Sequence, residues 1–415
     1  MSRKLIDSGI EWIGRLPEKW GITTVNRIFY RRKEVNTDSN PVILSLARDG
    51  IKIRDISTNE GQLAESYDNY HKVYKDDLMI NPMDLISGAN CSLSEVEGVI
   101  SPAYINLAKK QKIYPKYYDY FFKYQYWVKA MFIHGKGVSF DNRWTMNWET
   151  LANYKVPLMS YDEQKRIADF LDGKCSKIDE IINDNNKEIE LLDEYKKSVI
   201  NNISIKGFGD TKKTDIKYLN EVMIDSVITK VKFILKNRTE KNHPNAQVLS
   251  LYREYGVVPK DSRDDNYNVT SENTENYKYV EKGDLVVNKM KAWQGSLAVS
   301  EYDGIVSPAY YVCSFKKEMN KKYFHYLIRS KTYSQEFERL SIGIRPGQWD
   351  LSNDNFMSTY VAIPNIKTQD RIASYLDDRC AKIDEVIDYR RQIIEKLEEY
   401  KRSLIYECVT GKREV

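Results

Sequence analysis

The chain has 415 residues, of which 41% are hydrophobic and 30% charged. That balance suits two or three globular domains with sizeable cores and excludes a disordered or fibrous chain. The formal net charge is only +4, which alone does not announce a nucleic-acid binder, and no apolar run approaches the roughly 18 residues of a membrane span. Five cysteines without a CxxC pair, and His71, His134, His243 and His325 far apart, argue against a disulfide framework or a Cys/His metal site. A reducing cytoplasm is the expected setting.

In chain order, the opening MSRKLIDSGIEW lacks the apolar core of a signal peptide. Residues 1–163 carry strand-like runs punctuated by turns, PVILSL, VYKDDLMINPM and GVISPAY, and a helical stretch YPKYYDYFFKYQYWVKAMF. Residues 164–209 follow with apolar side chains in alternating steps of three and four: Ala168, Leu171, Cys175, Ile178, Ile182, Ile189, Leu192, Val199 and Ile203. That heptad spacing predicts a coiled-coil helix of about 37 residues, interrupted at Asn185 and Lys196. Residues 210–368 return to strand-like runs, NAQVLSL, KGDLVVN and GIVSPAYYVCSF, with a helical stretch NKKYFHYLIRSKTYSQEF. Residues 369–415 carry the second heptad stripe, from Ala373 to Cys408, interrupted at Arg390 and Lys401. Cys175 and Cys380 sit in the stripes as small apolar fillers.

The order is a tandem repeat. Residues 164–200 and 369–405 are identical at 20 of 37 positions. The long blocks repeat more loosely: the LSL runs, Asp77 with Asp284, the Ser-Pro-Ala-Tyr turns and Trp144 with Trp349 recur about 205 residues apart. The frame is shared while the residues between frame positions differ, which suits one scaffold presenting two recognition surfaces, or plain drift after duplication. The opening 8–20 finds no clear partner at the start of the second block, where the sequence is FGDTKKTDIKY.

The expected fold class is α+β. Two globular blocks (1–163 and 210–368) are joined by two long antiparallel helices (164–209 and 369–415) forming a coiled coil, with a pseudo-two-fold axis across the pair. Asn185 and Arg390 then either face one another and fix register, or tilt out to solvent. The excess positive charge lies in the two long blocks, at +2 and +4, while each helical block is −1. Tyrosine is abundant, 31 of 415, often beside Lys or Arg, a pairing that suits a polar recognition surface or reflects a biased base composition.

No Gly-rich phosphate loop, GxSxG elbow or paired-carboxylate centre occurs. Asn81-Pro82-Met83-Asp84 only faintly matches the Asn-Pro-Pro-aromatic motif of amino-methyltransferases, and its repeat mate reads Asn288-Lys289-Met290-Lys291. A non-catalytic binding protein is favoured.

Stretches in the order SGIEWIGRLPEKW at the start, QKRIADFLD opening the first helix, GDLVVNKMKAWQG with GIVSPAY in the second block and QDRIASYLD opening the second helix resemble the specificity (S) subunit of type I restriction-modification systems. The resemblance implies that each block is a target recognition domain reading one half of a split double-stranded DNA sequence. The helices would set the gap and dock two modification (methyltransferase) subunits. Restriction/translocase subunits would join them, with no membrane involved. S-adenosylmethionine and ATP with Mg would belong to those partners, and this chain would hold no cofactor and no catalytic residue. A coiled-coil scaffold that binds only proteins, or a self-sufficient DNA-modifying enzyme, is the alternative.

The resemblance does not transfer base-reading residues, so candidates come from chemistry. Base edges are read by Arg, Lys, Asn and Gln on exposed loops. Block one offers Asn90 and Ser92, then Lys136, Asn142 and Arg143 in GKGVSFDNRW. Block two offers Lys289, Lys291, Trp293 and Gln294, then Arg345 and Gln348 in GIRPGQW. Trp144 and Trp349 are assigned to packing, and Asp77 and Asp284 to the frame.

Overall fold

The computed structural model describes residues 4–47, 50–55, 64, 66–83, 85, 91–136, 145–253, 255–262, 274–345 and 348–415, with the side chains of 344, 345 and 348 left out. The chain forms two compact units: residues 1–185 with 392–415, and residues 186–391.

In the first unit, a four-stranded antiparallel sheet runs in the order Phe29–Arg32, Ile105–Lys109, Leu78–Ile80, Cys91–Leu93. Its core cluster takes Tyr117, Tyr118, Phe121, Phe122 and Tyr126 from the helix Pro115–Trp127. Proline at the start of that helix loses no backbone bond, because the first amides lack intrahelical partners. The second unit repeats the sheet as Leu235–Asn237, Tyr310–Phe315, Leu285–Asn288, Leu297–Val299, with Tyr323, Phe324, Tyr333 and Phe337 in its core. All pairs of named strands are antiparallel in both. The α+β class is as the sequence led one to expect.

The long helices run Tyr161–Lys206 and Ile366–Val409, 46 and 44 residues. They exceed the expected 37 because each starts ahead of its apolar stripe and continues to a glycine, Gly207 or Gly411, at positive φ. Pairing within each unit is antiparallel. In the second unit Glu188 meets Arg390 at 2.7 Å and Lys196 meets Asp384 at 2.6 Å; in the first, Asp179 meets Lys401 at 2.6 Å. The two lysines that interrupt the stripes thus make one ion pair twice, 205 residues apart. Ala168, Leu171, Cys175 and Ile178, and Ala373, Leu376, Cys380, Ile383 and Ile387, are buried in the seam.

The first unit's core is completed by the far end of the chain. Leu404, Ile405, Cys408 and Val409 lie in the same cluster as the sheet, and the buried Tyr117 hydroxyl donates to the Val409 carbonyl at 2.7 Å. In the second unit Tyr323 donates to the Ser204 carbonyl at 3.1 Å. Carbonyls of a helix's last turn have no intrahelical donor, so a buried phenol and an orphan acceptor satisfy each other.

One expectation is corrected. The opening segment does have a counterpart in the second block. Leu5–Asp7 pairs with Arg15–Pro17, and Thr211–Lys213 pairs with Glu221–Met223, in matching register. Each hairpin packs on a helix end: a Cβ at Gly411 would come within 2.4 Å of Pro17, and one at Gly207 within 2.7 Å of Met223. The hairpins share shape without sequence because only a few of their positions are buried, which leaves the rest free to differ.

Two expectations for stability follow. A Cβ at Gly98 would lie 2.5 Å from the Val42 carbonyl oxygen, and one at Gly304 2.4 Å from that of Gln247. Gly98→Ala or Gly304→Ala should each cost about 1–3 kcal/mol, read as a fall in the denaturation midpoint. His325 Nε2 lies 2.8 Å from Arg329 Nη1, which only donates. Desolvation and the Arg329 charge push this imidazole down to about 3. The unfolded chain takes up a proton near 6.5 where the fold does not, so stability falls as pH drops from 6.5 toward 3, by about 1.4 kcal/mol per pH unit. His325→Gln should flatten that slope between pH 6 and 5 in urea titrations.

Candidate nucleic-acid interface

Each unit builds its presenting surface from a duplicated internal frame. Asp77 and Asp284 are buried carboxylates. Asp77 accepts from Arg32 at 2.9 Å, from Asn106 at 3.0 Å and from the Tyr74 amide at 3.0 Å. Asp284 accepts from Arg238 at 2.6 Å and from the Glu281 amide at 3.1 Å. Against the cost of their burial, these carboxylates hold both guanidinium groups above their usual pKa. The Ser-Pro-Ala-Tyr turns also repeat, with Tyr104 N–H donating to the Ser101 carbonyl and Tyr310 N–H to that of Ser307. Gln164 and Gln369 are buried staples at the starts of the long helices. Each side-chain oxygen accepts an amide, from Tyr114 at 2.8 Å or Asn320 at 2.9 Å, and each side-chain nitrogen donates to a carbonyl, of Met159 or Pro364, at 2.9 Å. Tyr120 and Tyr326 donate to Asp172 and Asp377 on those helices. Burial and these carboxylates raise both phenols far above their usual pKa.

On this frame stand the loops that carry the sequence candidates. In the second unit, Ile342–Arg345 and Gln348–Asp350 form a hairpin in which the backbones of Arg345 and Gln348 pair directly. Three contacts anchor its base. Lys289 meets Asp350 at 3.0 Å, and that bond raises the lysine's pKa. The Leu351 amide donates to the Lys289 carbonyl at 2.9 Å. The rings of Trp293 and Trp349 lie 4.8 Å apart. Trp349 therefore packs, as its repeated position suggested, and Trp293 packs with it. Lys291 is exposed and Gln294 half-buried beside them. In the first unit, Lys136 is exposed and bridges to Thr145, at the place equivalent to that hairpin. Ser92 is buried, and its hydroxyl donates to the Leu93 carbonyl at 3.3 Å. Asn90, Asn142, Arg143 and Trp144 lie outside the described residues. In the helix seam, Asn185 is buried and donates to the Ile181 carbonyl at 2.8 Å, while Arg390 holds Glu188.

Two features went unmarked at the level of sequence. Hairpins Leu44–Ala47 with Gly50–Ile53, and Leu249–Tyr252 with Gly256–Pro259, follow the LSL runs. They expose Lys52 in one unit and Arg253 and Tyr255 in the other. Their signal was a glycine recurring 206 residues apart. Arg329 fixes the second turn by donating to the Arg253 carbonyl. The first unit also carries a cleft of about 860 Å³ lined by Lys75, Lys109, Lys110, Lys112 and Lys116 with Tyr161. The second unit keeps Lys316 and Lys322 at the places of Lys110 and Lys116. Among the described residues no group of three His, Cys, Asp or Glu could hold a metal ion, and no helix is long and apolar enough to cross a membrane.

Residues 228–399 match the family model of the type I restriction modification DNA specificity domain, which makes this a DNA-specificity protein. A type I restriction enzyme MjaVIII specificity subunit from Methanocaldococcus jannaschii is 24% identical over 368 residues, 82% of this chain and 81% of that one. Two solved structures share the fold. A chain described under "Structural basis underlying complex assembly and conformational transition of the type I R-M system" superposes with a TM-score of 0.69 at 10% identity, over 96% of this chain and 99% of that one. The HsdS subunit from Thermoanaerobacter tengcongensis gives 0.50 at 11% identity, over 96% and 98%. The chain is thus a specificity (S) subunit of the type I restriction-modification class. Its role is DNA sequence specificity, which is not a catalytic one, exercised with DNA and the other subunits of such systems.

If the base of the second unit's hairpin is held as described, Asp350→Ala and Trp293→Ala should loosen residues 342–350 and leave the sheet intact. Amide exchange of that segment should speed up at least about tenfold, the equivalent of 1.4 kcal/mol of lost local protection.

Proposed function

We propose that residues 1–163 and 210–368 are two target recognition domains, each reading one half of a bipartite double-stranded DNA target in the cytoplasm. The helical segments 164–209 and 369–415 set the spacing between halves, with Asn185 and Arg390 contributing to register. They also dock two modification subunits, to which restriction/translocase subunits are added. S-adenosylmethionine and ATP with Mg are used by those partners.

The observation that carries this reading is the contrast between frame and loops. The Asp–Arg, Gln and Tyr anchors are made twice at equivalent positions, while the loop sequences beside them, GKGVSFDNRW and GIRPGQW, differ at most positions. One scaffold carrying two unlike loop sets suits a reader of two unlike half-sites. Base readers are sought among Asn90, Ser92, Lys136, Asn142 and Arg143 for one half, and Lys291, Gln294, Arg345 and Gln348 for the other, with Lys289 and Trp293 positioning the second hairpin. The lysines around Lys110 and Lys316 suit phosphate contacts, which position the duplex without reading it. For docking, the support is again a pair: Ile181 with Tyr400 in the first unit and Val386 with Tyr195 in the second are exposed apolar residues at equivalent positions.

The test is the methylome of cells lacking adenine methylation that express this chain with its modification subunit, and each alone. A split motif methylated only on co-expression is the expected result. Arg345→Ala or Gln348→Ala should relax one half-site by about 1–3 kcal/mol per lost base contact and leave the other half unchanged. Methylation by the chain alone, or loss of both halves together, would count against the reading.

A further inference from the structure

The two helix surfaces offered to partners are not equal. The inference drawn from this rests on the reading of the helices as the dock for two copies of a modification subunit.

In the second unit, Tyr195 accepts a hydrogen bond from Arg379 Nη2 at 2.9 Å. Arg379 and Val386 are seven residues apart and share a helix face. Tyr195 and Val386 therefore lie on one side of the helix pair. Leu191 stands one turn from Tyr195, and Tyr389 one turn from Val386. All four are exposed, Leu191 and Tyr389 at 64% and 63%. They form a single apolar patch on the second unit's helices.

In the first unit the equivalent positions are Tyr400 for Tyr195, Ile181 for Val386, Lys396 for Leu191 and Asp184 for Tyr389. Two of the four apolar members are thus replaced by charged, exposed side chains. The rim beside each patch carries two basic residues in both units. Arg379 and Lys382 precede Val386 as Lys174 and Lys177 precede Ile181. A basic rim beside an apolar pair in both units points to one kind of partner surface, apolar with acidic neighbours, on both. The other two members set the patches apart: Leu191 and Tyr389 in the second unit offer apolar area to a partner, where Lys396 and Asp184 in the first offer charge.

We propose that the modification subunit docks on both patches but binds the second unit's patch, built on Leu191, Tyr195, Val386 and Tyr389, first and more tightly. The complex then assembles through a populated intermediate carrying one modification subunit. Because each recognition domain sits in its own unit, that intermediate is one-sided.

The experiment titrates the full chain with purified modification subunit and follows stoichiometry by native mass spectrometry and sedimentation. Two steps should appear, separated by about tenfold or more beyond the statistical factor for equal sites, as expected from two large apolar side chains buried at one site only. L191K/Y389D, which gives the second unit the first unit's pair, should bring the first step down to the second. D184Y/K396L should raise the second step toward the first. Equal steps in the unaltered chain would overturn the inference alone. So would unchanged steps in both variants with helical circular dichroism preserved. No binding of modification subunit at all would overturn the docking reading, and this inference with it.

Discussion

Each unit is closed by a segment of helix from elsewhere in the chain, and the rest of the structure depends on that closure. The first unit's sheet and helix bury their apolar face against the start of one long helix and the end of the other, through Ile167, Ala168 and Leu171 and through Leu404, Ile405, Cys408 and Val409. The second does the same with Ile372, Ala373 and Leu376 and with Ile205. Burial of that scale outweighs the entropy of ordering two helices of more than 40 residues, which isolated polar-faced helices could not offset alone. The phenols of Tyr117 and Tyr323 then satisfy the last-turn carbonyls that the closure takes out of water.

From that closure follows the division of labour along the chain. Residues that hold block to helix recur, Gln164 with Gln369 and Tyr120 with Tyr326, and so do those that hold the block together, Asp77 with Asp284. The sequences mounted on them, GKGVSFDNRW and GIRPGQW, are not held alike in this way and differ at most positions. A protein of the specificity class needs this separation, because recognition must vary while the geometry that presents it stays fixed. The Lys289–Asp350 and Trp293–Trp349 contacts tie the base of the 342–350 hairpin to the frame.

The ion pairs Asp179–Lys401 and Lys196–Asp384 are partly exposed and add little stability as isolated pairs. Their value is in placement. Lysine at a seam position tolerates only alignments that bring a carboxylate within reach, so the pairs select the antiparallel register from among the other ways two apolar stripes can meet.

Much of this was legible in the sequence. The repeat, the heptad stripes, the breaks at Lys196 and Lys401 and the frame positions all follow from local spacing and self-similarity, and both signals survive without knowledge of contacts. The partners of those breaks were not legible as partners, because Asp179 and Asp384 lie about 200 residues away in the chain and read as ordinary solvated carboxylates. The opening hairpin was missed because its counterpart at 211–223 keeps the backbone pairing and almost none of the side chains. The partners of Lys289 and Trp293, Asp350 and Trp349, were not legible either, because the hairpin that brings them together folds back from about 60 residues away. By itself, the sequence determined the α+β class and the duplication, since these rest on periodicity and repeated residues, and its motifs resembled those of the specificity subunits. The tertiary structure alone decided which helix end closes which unit and which loop residues are anchors. Those are matters of long-range burial and pairing, and a contact between residues hundreds of positions apart leaves no mark on the local pattern of either.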